Sequence, residues 1–108
     1  MTTARATLDA AMTEREFQRS VIGLARQLGW RVAWTWNSLH SPKGWPDTVL
    51  ARRGRLVVAE LKRQSGKTTP EQDAWLAELT AVAEASGGNV EAHLWRPADW
   101  DQIVEILR

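Results

Sequence analysis

The residues of this chain best suited to chemistry are Asp47, Glu60 and Lys62, each at the end of a short apolar segment. Glu60 and Lys62 close the segment 56–62, whose composition is typical of a buried β-strand. A bare charge is costly in apolar surroundings unless it is paired or binds a metal ion. Two carboxylates and an ammonium in such positions suit a divalent cation and a phosphate better than a hydrophobic core.

The predicted strands bring these residues together. Alternate side chains of a strand share a face, so Glu60 and Lys62 point the same way. Asp47 begins the preceding predicted strand, and a tight turn at residues 53–54 joins the two strands in a hairpin. Residue 47 then lies opposite residues close to 60, within reach of the same cation. Mg²⁺ prefers oxygen ligands and water, and the backbone carbonyl of Leu61 is a further candidate ligand.

The three side chains are suited to hydrolysis of a phosphodiester. That reaction needs an activated water and stabilisation of developing negative charge, and a divalent cation held by Asp47 and Glu60 contributes to both. Lys62, a compact charge beside a carboxylate, can orient the water or neutralise the phosphate. The simpler alternative is an ion pair between Lys62 and one carboxylate at a strand end, without any catalytic role.

Positive charge is concentrated around these residues, although the formal net charge of the chain is only +1. The segment 43–67 contains seven basic residues and only two acids, Asp47 and Glu60, whereas the rest holds seven basic and eleven acidic residues. Such a local positive field favours the binding of a polyanion. The alternative is an arginine-rich hairpin that is simply solvated. We therefore predict DNA contacts by Lys43, Arg52, Arg53, Arg55, Arg63 and Lys67.

Length and composition limit the classes of protein to which this chain can belong. The 108 residues suffice for one domain with a hydrophobic core, and the balance of 44% hydrophobic and 25% charged residues is that of a soluble globular protein. No segment has the roughly 20 apolar residues of a membrane span. There are no cysteines, which excludes disulfides and thiolate zinc sites. A reducing, cytoplasmic compartment is consistent with this composition.

Periodicity and capping signals predict the order α-β-β-β-α-β-α, an α/β fold with a mixed central sheet flanked by helices. The first two helices begin with the capping boxes 13–16 and 69–72, and the last begins at Pro97. The helix between the last two strands predicts that they run parallel. Residues 1–12 show neither period nor cap, so we expect a flexible arm followed by a single domain over 13–108.

Seven tryptophans are many for this length. Trp45 adjoins the motif and either supports Asp47 or contacts nucleic acid. Large rings bury much apolar area, so five others are expected in the core: Trp34, Trp36, Trp75, Trp95 and Trp100.

The order and spacing of these motifs resemble the PD-(D/E)xK nuclease superfamily and, within it, the virus-type replication-repair nuclease (VRR-NUC) domain. The similarity extends from about Thr13 to the last helix. The matching pieces are Glu14 to Gln18, Gly29-Trp30, Gly44-Trp45-Pro46-Asp47, Gly54-Arg55, Glu60-Leu61-Lys62, and Gly66 through Gln72.

This resemblance implies a restriction-endonuclease-like core and Mg²⁺- or Mn²⁺-dependent cleavage of DNA. It assigns metal binding to Asp47 and Glu60, and positioning of water or phosphate to Lys62. Stand-alone members resemble structure-selective nucleases that act on branched DNA, such as four-way junctions or flaps, commonly as homodimers. A DNA-cleaving protein of this kind is expected in the cytoplasm of a bacterial or phage-infected cell.

Further site residues follow from the same resemblance, because a polar residue of the first helix often completes the superfamily's metal site. Helical spacing favours Glu14 and Gln18, which lie on or beside the apolar arc, although Glu14 also suits the helix dipole. Gln72 resembles the family's glutamine after the lysine motif, and its role in the capping box is the alternative. His40 is a candidate for contacting phosphate or relaying a proton, or else a solvated loop residue.

Two other functions are consistent with the sequence. The nuclease fold can be retained to bind DNA without turnover, or the motif can be an ion pair in a purely structural domain. The intact set of Asp47, Glu60 and Lys62 favours catalysis, because an idle site does not need all three.

Overall fold

The computed structural model describes residues 3–35 and 41–108. A 3₁₀ turn at Pro97–Asp99 precedes the last helix. Trp36, His40 and the first two residues, on which predictions were made, lie outside the described residues. The elements in chain order are α1 Ala4–Ala11, α2 Glu14–Gln27, β1 Arg31–Trp34, β2 Thr48–Arg52, β3 Arg55–Leu61, α3 Pro70–Ala85, β4 Val90–Trp95 and α4 Trp100–Leu107.

The four strands form one sheet in the order β1-β2-β3-β4. The first three strands are antiparallel, whereas β3 and β4 are parallel, with α3 as the crossover between them. This confirms the predicted mixed α/β architecture. The hairpin between β2 and β3 turns at Arg53 and Gly54, whose φ values of 50° and 82° belong to the left-handed region that such tight turns require.

The sheet has two differently covered faces. On one face, Leu50, Val57 and Leu61 pack in the core cluster with Phe17 of α2 and Ile103 of α4. Successive residues of a strand point to opposite faces, so the residues between them face the other way, where α3 contacts β3 and β4. Among the helices of the described residues, none is long and apolar enough for a membrane span.

The segment predicted as an arm without regular structure contains helix α1. Its N-cap is Thr3, whose hydroxyl accepts a hydrogen bond from the N–H of Ala6 (3.0 Å). An ion pair between Arg5 and Asp101 (3.2 Å) links α1 to α4. The prediction missed this cap, and because no residue of α1 is buried, the helix contributes no side chain to the core. The observed order is therefore α-α-β-β-β-α-β-α.

The tryptophans are distributed differently from the prediction. Trp95 is buried, but Trp34, on the edge strand β1, is 37% exposed. Trp75 and Trp100 are half-buried. Trp30, which the pattern did not single out, is buried, and its indole N–H donates to the carbonyl of Leu107 (2.9 Å).

Arg52, a predicted DNA-binding residue, makes structural contacts. Its guanidinium lies over the ring of Trp30 (4.6 Å to the centroid). It donates hydrogen bonds to the carbonyls of Leu28 (2.9 Å) and Arg108 (3.0 Å) at the ends of α2 and α4. Arg55 lies over the same ring at 5.1 Å. The two arginines thus join the hairpin to the helices packed on it.

We expect the substitution Arg52→Ala to lower the free energy of unfolding by about 2–3 kcal/mol, because two hydrogen bonds from a charged group are lost. Urea unfolding followed by circular dichroism measures the change. Arg53→Ala, at an exposed position in the turn, is the matched control and should change stability by no more than about 0.5 kcal/mol. Equal losses in the two variants would contradict the structural role of Arg52.

Candidate active site

The strand register brings Asp47 and Glu60 together. Thr48 pairs with Ala59 across the hairpin, so the residues just outside that pair face each other. The N–H of Asp47 donates to Oε2 of Glu60 (3.2 Å), and the N–H of Leu61 donates to Oδ2 of Asp47 (3.1 Å). Each carboxyl group also affects the pKa of the other. They therefore lie on the same face, close enough to ligate one cation.

Burial makes two negative charges unfavourable at this position. Glu60 is only 2% exposed. Its burial and the neighbouring Asp47 raise its pKa to about 8, although Lys62 partly opposes the shift. Burial likewise raises the pKa of Asp47 above its ordinary value, against the opposing effects of the Leu61 N–H and Lys62. A bound cation would neutralise this paired charge, as expected of a metal site.

Lys62 lies close to the carboxylates of Glu60 and Glu14 but forms a tight ion pair with neither. Its Nζ lies 3.9 Å from Oε1 of Glu60 and 4.0 Å from Oε1 of Glu14, and its side chain is 14% exposed. Charge-assisted hydrogen bonds are about 2.7–2.9 Å long, so both distances are longer than a direct bond. The backbone N–H of Lys62 donates a hydrogen bond to the carbonyl of Trp95 (3.0 Å), which fixes the backbone of Lys62 directly after β3.

Gln72 combines the two roles that the sequence left open. Its Oε1 accepts a hydrogen bond from the N–H of Thr69 (2.9 Å), which completes the capping box of α3. Its Nε2 donates to Oε1 of Glu60 (2.7 Å). Since one amide group makes both contacts, the helix cap also orients the Glu60 carboxylate.

Gly44 allows the loop that carries Asp47 to lie against α3. Its φ is +85°, and a Cβ at this position would lie 2.5 Å from the carbonyl carbon of Glu71 and 2.7 Å from the nitrogen of Gln72. Next to it, the ring of Trp45 packs edge-on against the ring of Trp75 (4.8 Å between centroids). Trp45 therefore packs on α3, and its predicted support of Asp47 or contact with nucleic acid stays a prediction.

Glu14 and Gln18, the site residues predicted on what is now α2, lie in different surroundings. Glu14 contacts Lys62, and burial raises its pKa, an effect that Lys62 opposes and Asp47 reinforces. Gln18, one turn later, lines a groove beside Trp34. Of the pair, Glu14 is thus the residue directed toward the lysine.

Three of the predicted DNA-binding residues lie near this site. Lys43 pairs with Glu71 of the first turn of α3 (3.4 Å). Arg63 and Lys67 are exposed on the segment 62–69, which follows β3 and begins with the site lysine.

The other three lie at the hairpin turn: Arg52, Arg53 and Arg55. Five residues of β-strand, roughly 16 Å, separate this turn from the two carboxylates. Arg55 there forms an ion pair with Glu91. The concentration of positive charge in the segment 43–67 is therefore divided in the structure, because the strands carry these three arginines and the carboxylates to opposite ends of the hairpin.

Two contacts that hold the segment 62–69 were missed by the sequence analysis. Arg96 donates to the carbonyl of Gly66 (2.8 Å), and the N–H of Ala98 donates to Oε1 of Gln64 (3.0 Å). The partners are 30 and 34 residues apart. No local pattern signals such contacts, because they depend on how the last turn packs beside the sheet.

The residues present fit a hard divalent cation that retains water ligands. Within 3–35 and 41–108 there is no group of three or more His, Cys, Asp or Glu side chains that could hold a metal ion. Asp47 and Glu60 supply two carboxylates, and Leu61, whose N–H binds Asp47, contributes a carbonyl in the same segment. Mg²⁺ is commonly held by one or two carboxylates plus water and substrate phosphate, which matches this small donor set.

The chain matches no protein-family model, no curated protein and no solved structure.

We expect Gly44→Ala to reduce the free energy of unfolding by at least about 2 kcal/mol more than Gly54→Ala. Both glycines have positive φ, but a Cβ at Gly54 would meet nothing within 4 Å, whereas at Gly44 it would overlap the backbone of α3. The difference between the variants therefore isolates the close approach of loop and helix. Urea unfolding at one pH measures it, and equal destabilisation would refute the steric argument.

The raised pKa of Glu60 predicts that the metal-free protein becomes less stable as pH rises from about 5 to about 8. The group has an ordinary pKa of 4.5 and a folded pKa of about 8, so in this window the folded protein retains a proton that the unfolded chain releases. Chemical denaturation in EDTA across this window measures the effect. Glu60→Gln should flatten the profile, and an unchanged profile would contradict the assignment.

Proposed function

We propose that this protein is a Mg²⁺- or Mn²⁺-dependent nuclease that hydrolyses phosphodiester bonds in DNA. The observation that carries the proposal is the convergence of Asp47, partly buried just before β2, with the buried Glu60 of β3, the two being joined through hydrogen bonds to backbone N–H groups. Buried carboxylates of this kind are costly unless an opposing charge is bound. When bound, the cation supplies an activated water and neutralises charge on the phosphate.

The residues around the pair have distinct roles in this proposal. Lys62, beside the carboxylates but not in a tight ion pair, neutralises the phosphate or orients the water. Gln72 holds Glu60 through its amide N–H, so it positions a ligand and does not itself react. Glu14, which contacts Lys62, orients that ammonium or adds an outer carboxylate.

The substrate and assembly are proposed from the resemblance of the motifs to VRR-NUC domains. We propose that the chain has their restriction-endonuclease-like topology, acts on branched DNA such as four-way junctions or flaps, and works as a homodimer in the cytoplasm. The mixed four-stranded sheet with helices packed on it is compatible with such a core.

Cleavage of labelled DNA tests this function. A four-way junction, a flap and a plain duplex are incubated at matched salt with Mg²⁺, with Mn²⁺ and with EDTA. We expect metal-dependent cleavage with preference for a branched substrate, loss of cleavage in Asp47→Asn, and a decrease of about a hundredfold or more in Lys62→Ala. Glu105→Gln, an exposed acid on α4, should cleave like the unmodified protein.

Cleavage that persists in EDTA or in Asp47→Asn would refute the proposed chemistry. If the metal increases DNA affinity while no substrate is cut, the chain is instead a DNA-binding module that retains the site. Light scattering during size-exclusion chromatography tests the homodimer separately.

A further inference from the structure

A groove on the outer side of α2 has the character of a polyanion-binding surface. Its volume is about 290 Å³, and Arg15, Arg19 and Arg26 are among its lining residues. These arginines are four and seven positions apart, so they lie within about 40° of one another on one helix face. They extend over about 16 Å of the helix, enough for several phosphates of one DNA strand. No acidic residue lines the groove in the described part of the chain.

Trp34 forms the other wall of this groove. It is 37% exposed, and the guanidinium of Arg26 lies over its ring (5.0 Å to the centroid). An arginine on an indole presents a flat, cationic surface. Unpaired nucleic-acid bases stack on both aromatic rings and guanidinium planes, so this wall suits a base as well as a phosphate.

Gly23 lines the same groove, in the middle of α2. A Cβ there would meet nothing within 4 Å, so neither backbone conformation nor packing in the described structure requires glycine. A mid-helix glycine costs about 0.5–1 kcal/mol relative to alanine. Its presence leaves room for close approach of a ligand to the helix backbone.

Helix α2 and the end of β1 carry contacts to the candidate active site as well as the groove. Glu14, in the first turn of α2, contacts Lys62. At the other wall, Trp34 precedes Thr35, whose N–H donates to the carbonyl of Asp47 (2.8 Å). The groove and the site therefore share two structural elements, although neither the two carboxylates nor Lys62 lines the groove.

We infer that the groove binds a single-stranded segment of the DNA substrate near the active site. This inference rests on the proposed nuclease function and extends it: the single-stranded arm of a branched substrate is what the protein holds beside the site. The arginines bind phosphates, and the Arg26–Trp34 pair stacks with an unpaired base.

Fluorescence anisotropy tests the groove without cleavage. A labelled single strand of about 15 nucleotides and its duplex are titrated in EDTA at several salt concentrations. The Arg19→Ala/Arg26→Ala variant should bind the single strand at least about tenfold more weakly and reduce the slope of log K against log salt by about 1–2. Trp34→Ala should lose about fivefold or more, and Trp34→Phe should retain most of the affinity.

Two further variants distinguish binding in the groove from effects of the protein's overall charge and of its stability. Gly23→Gln should weaken binding without lowering the midpoint of thermal unfolding, since it fills the groove in a helix-compatible way. Arg31→Ala removes one positive charge outside the groove, at the opposite end of β1 from Trp34, and should bind like the unmodified protein.

The outcomes distinguish this inference from the nuclease proposal. Groove-dependent binding of the single strand without cleavage of any substrate supports the groove and refutes the nuclease. Cleavage and binding that are unchanged in the groove variants refute the groove alone. Competition by polyglutamate equal to that by an oligonucleotide of the same charge also overturns it, because the groove would then recognise charge without bases.

Discussion

The register of the β2–β3 hairpin is the constraint on which the rest of the site depends. The turn at Arg53 and Gly54 aligns Thr48 with Ala59, and this pairing alone sets Asp47 opposite Glu60. A strand has a side-chain period of two, so a slip of one residue would turn Glu60 into the apolar face and move Asp47 away from it. The same register buries Leu50 and Val57 in the core. Folding stability and the proposed chemistry therefore require one alignment, and the hydrophobic face enforces the geometry of the polar one.

The first turn of α3 completes the site on the face of the sheet that this helix covers. Gln72 connects the cap of this helix to the Glu60 carboxylate, and Gly44 lets the preceding loop contact the same turn. This packing shields Glu60 from water, which raises its pKa and makes its ionised form dependent on a compensating charge. The site is thus a product of burial: exposed carboxylates at the same spacing would be stable as anions and would have little need of a cation.

The arginines have different roles according to where the fold carries them. Arg52 and Arg55 hold the hairpin to the helices around Trp30, roughly 16 Å from the carboxylates along the strands. That separation exceeds the screening length of about 10 Å at moderate salt. In contrast, Arg19 and Arg26 of α2 precede the motif in sequence, and they line a groove on the helix whose first turn contacts Lys62. Proximity of charge in the sequence is therefore a poor guide to the electrostatic field at the site.

Local signals in the sequence determined the capping boxes at Thr13 and Thr69, the hairpin turn, the mixed sheet and the convergence of Asp47 with Glu60. Each of these depends on side-chain periodicity, on residues a few positions apart, or on two strands joined by a short turn. Only the tertiary structure decided that Trp30 is buried while Trp34 is exposed, and that Arg52 reaches the carbonyl of Arg108, 56 residues away. These features depend on which surfaces pack together, and that packing is a sum of many weak long-range contacts that no short pattern encodes.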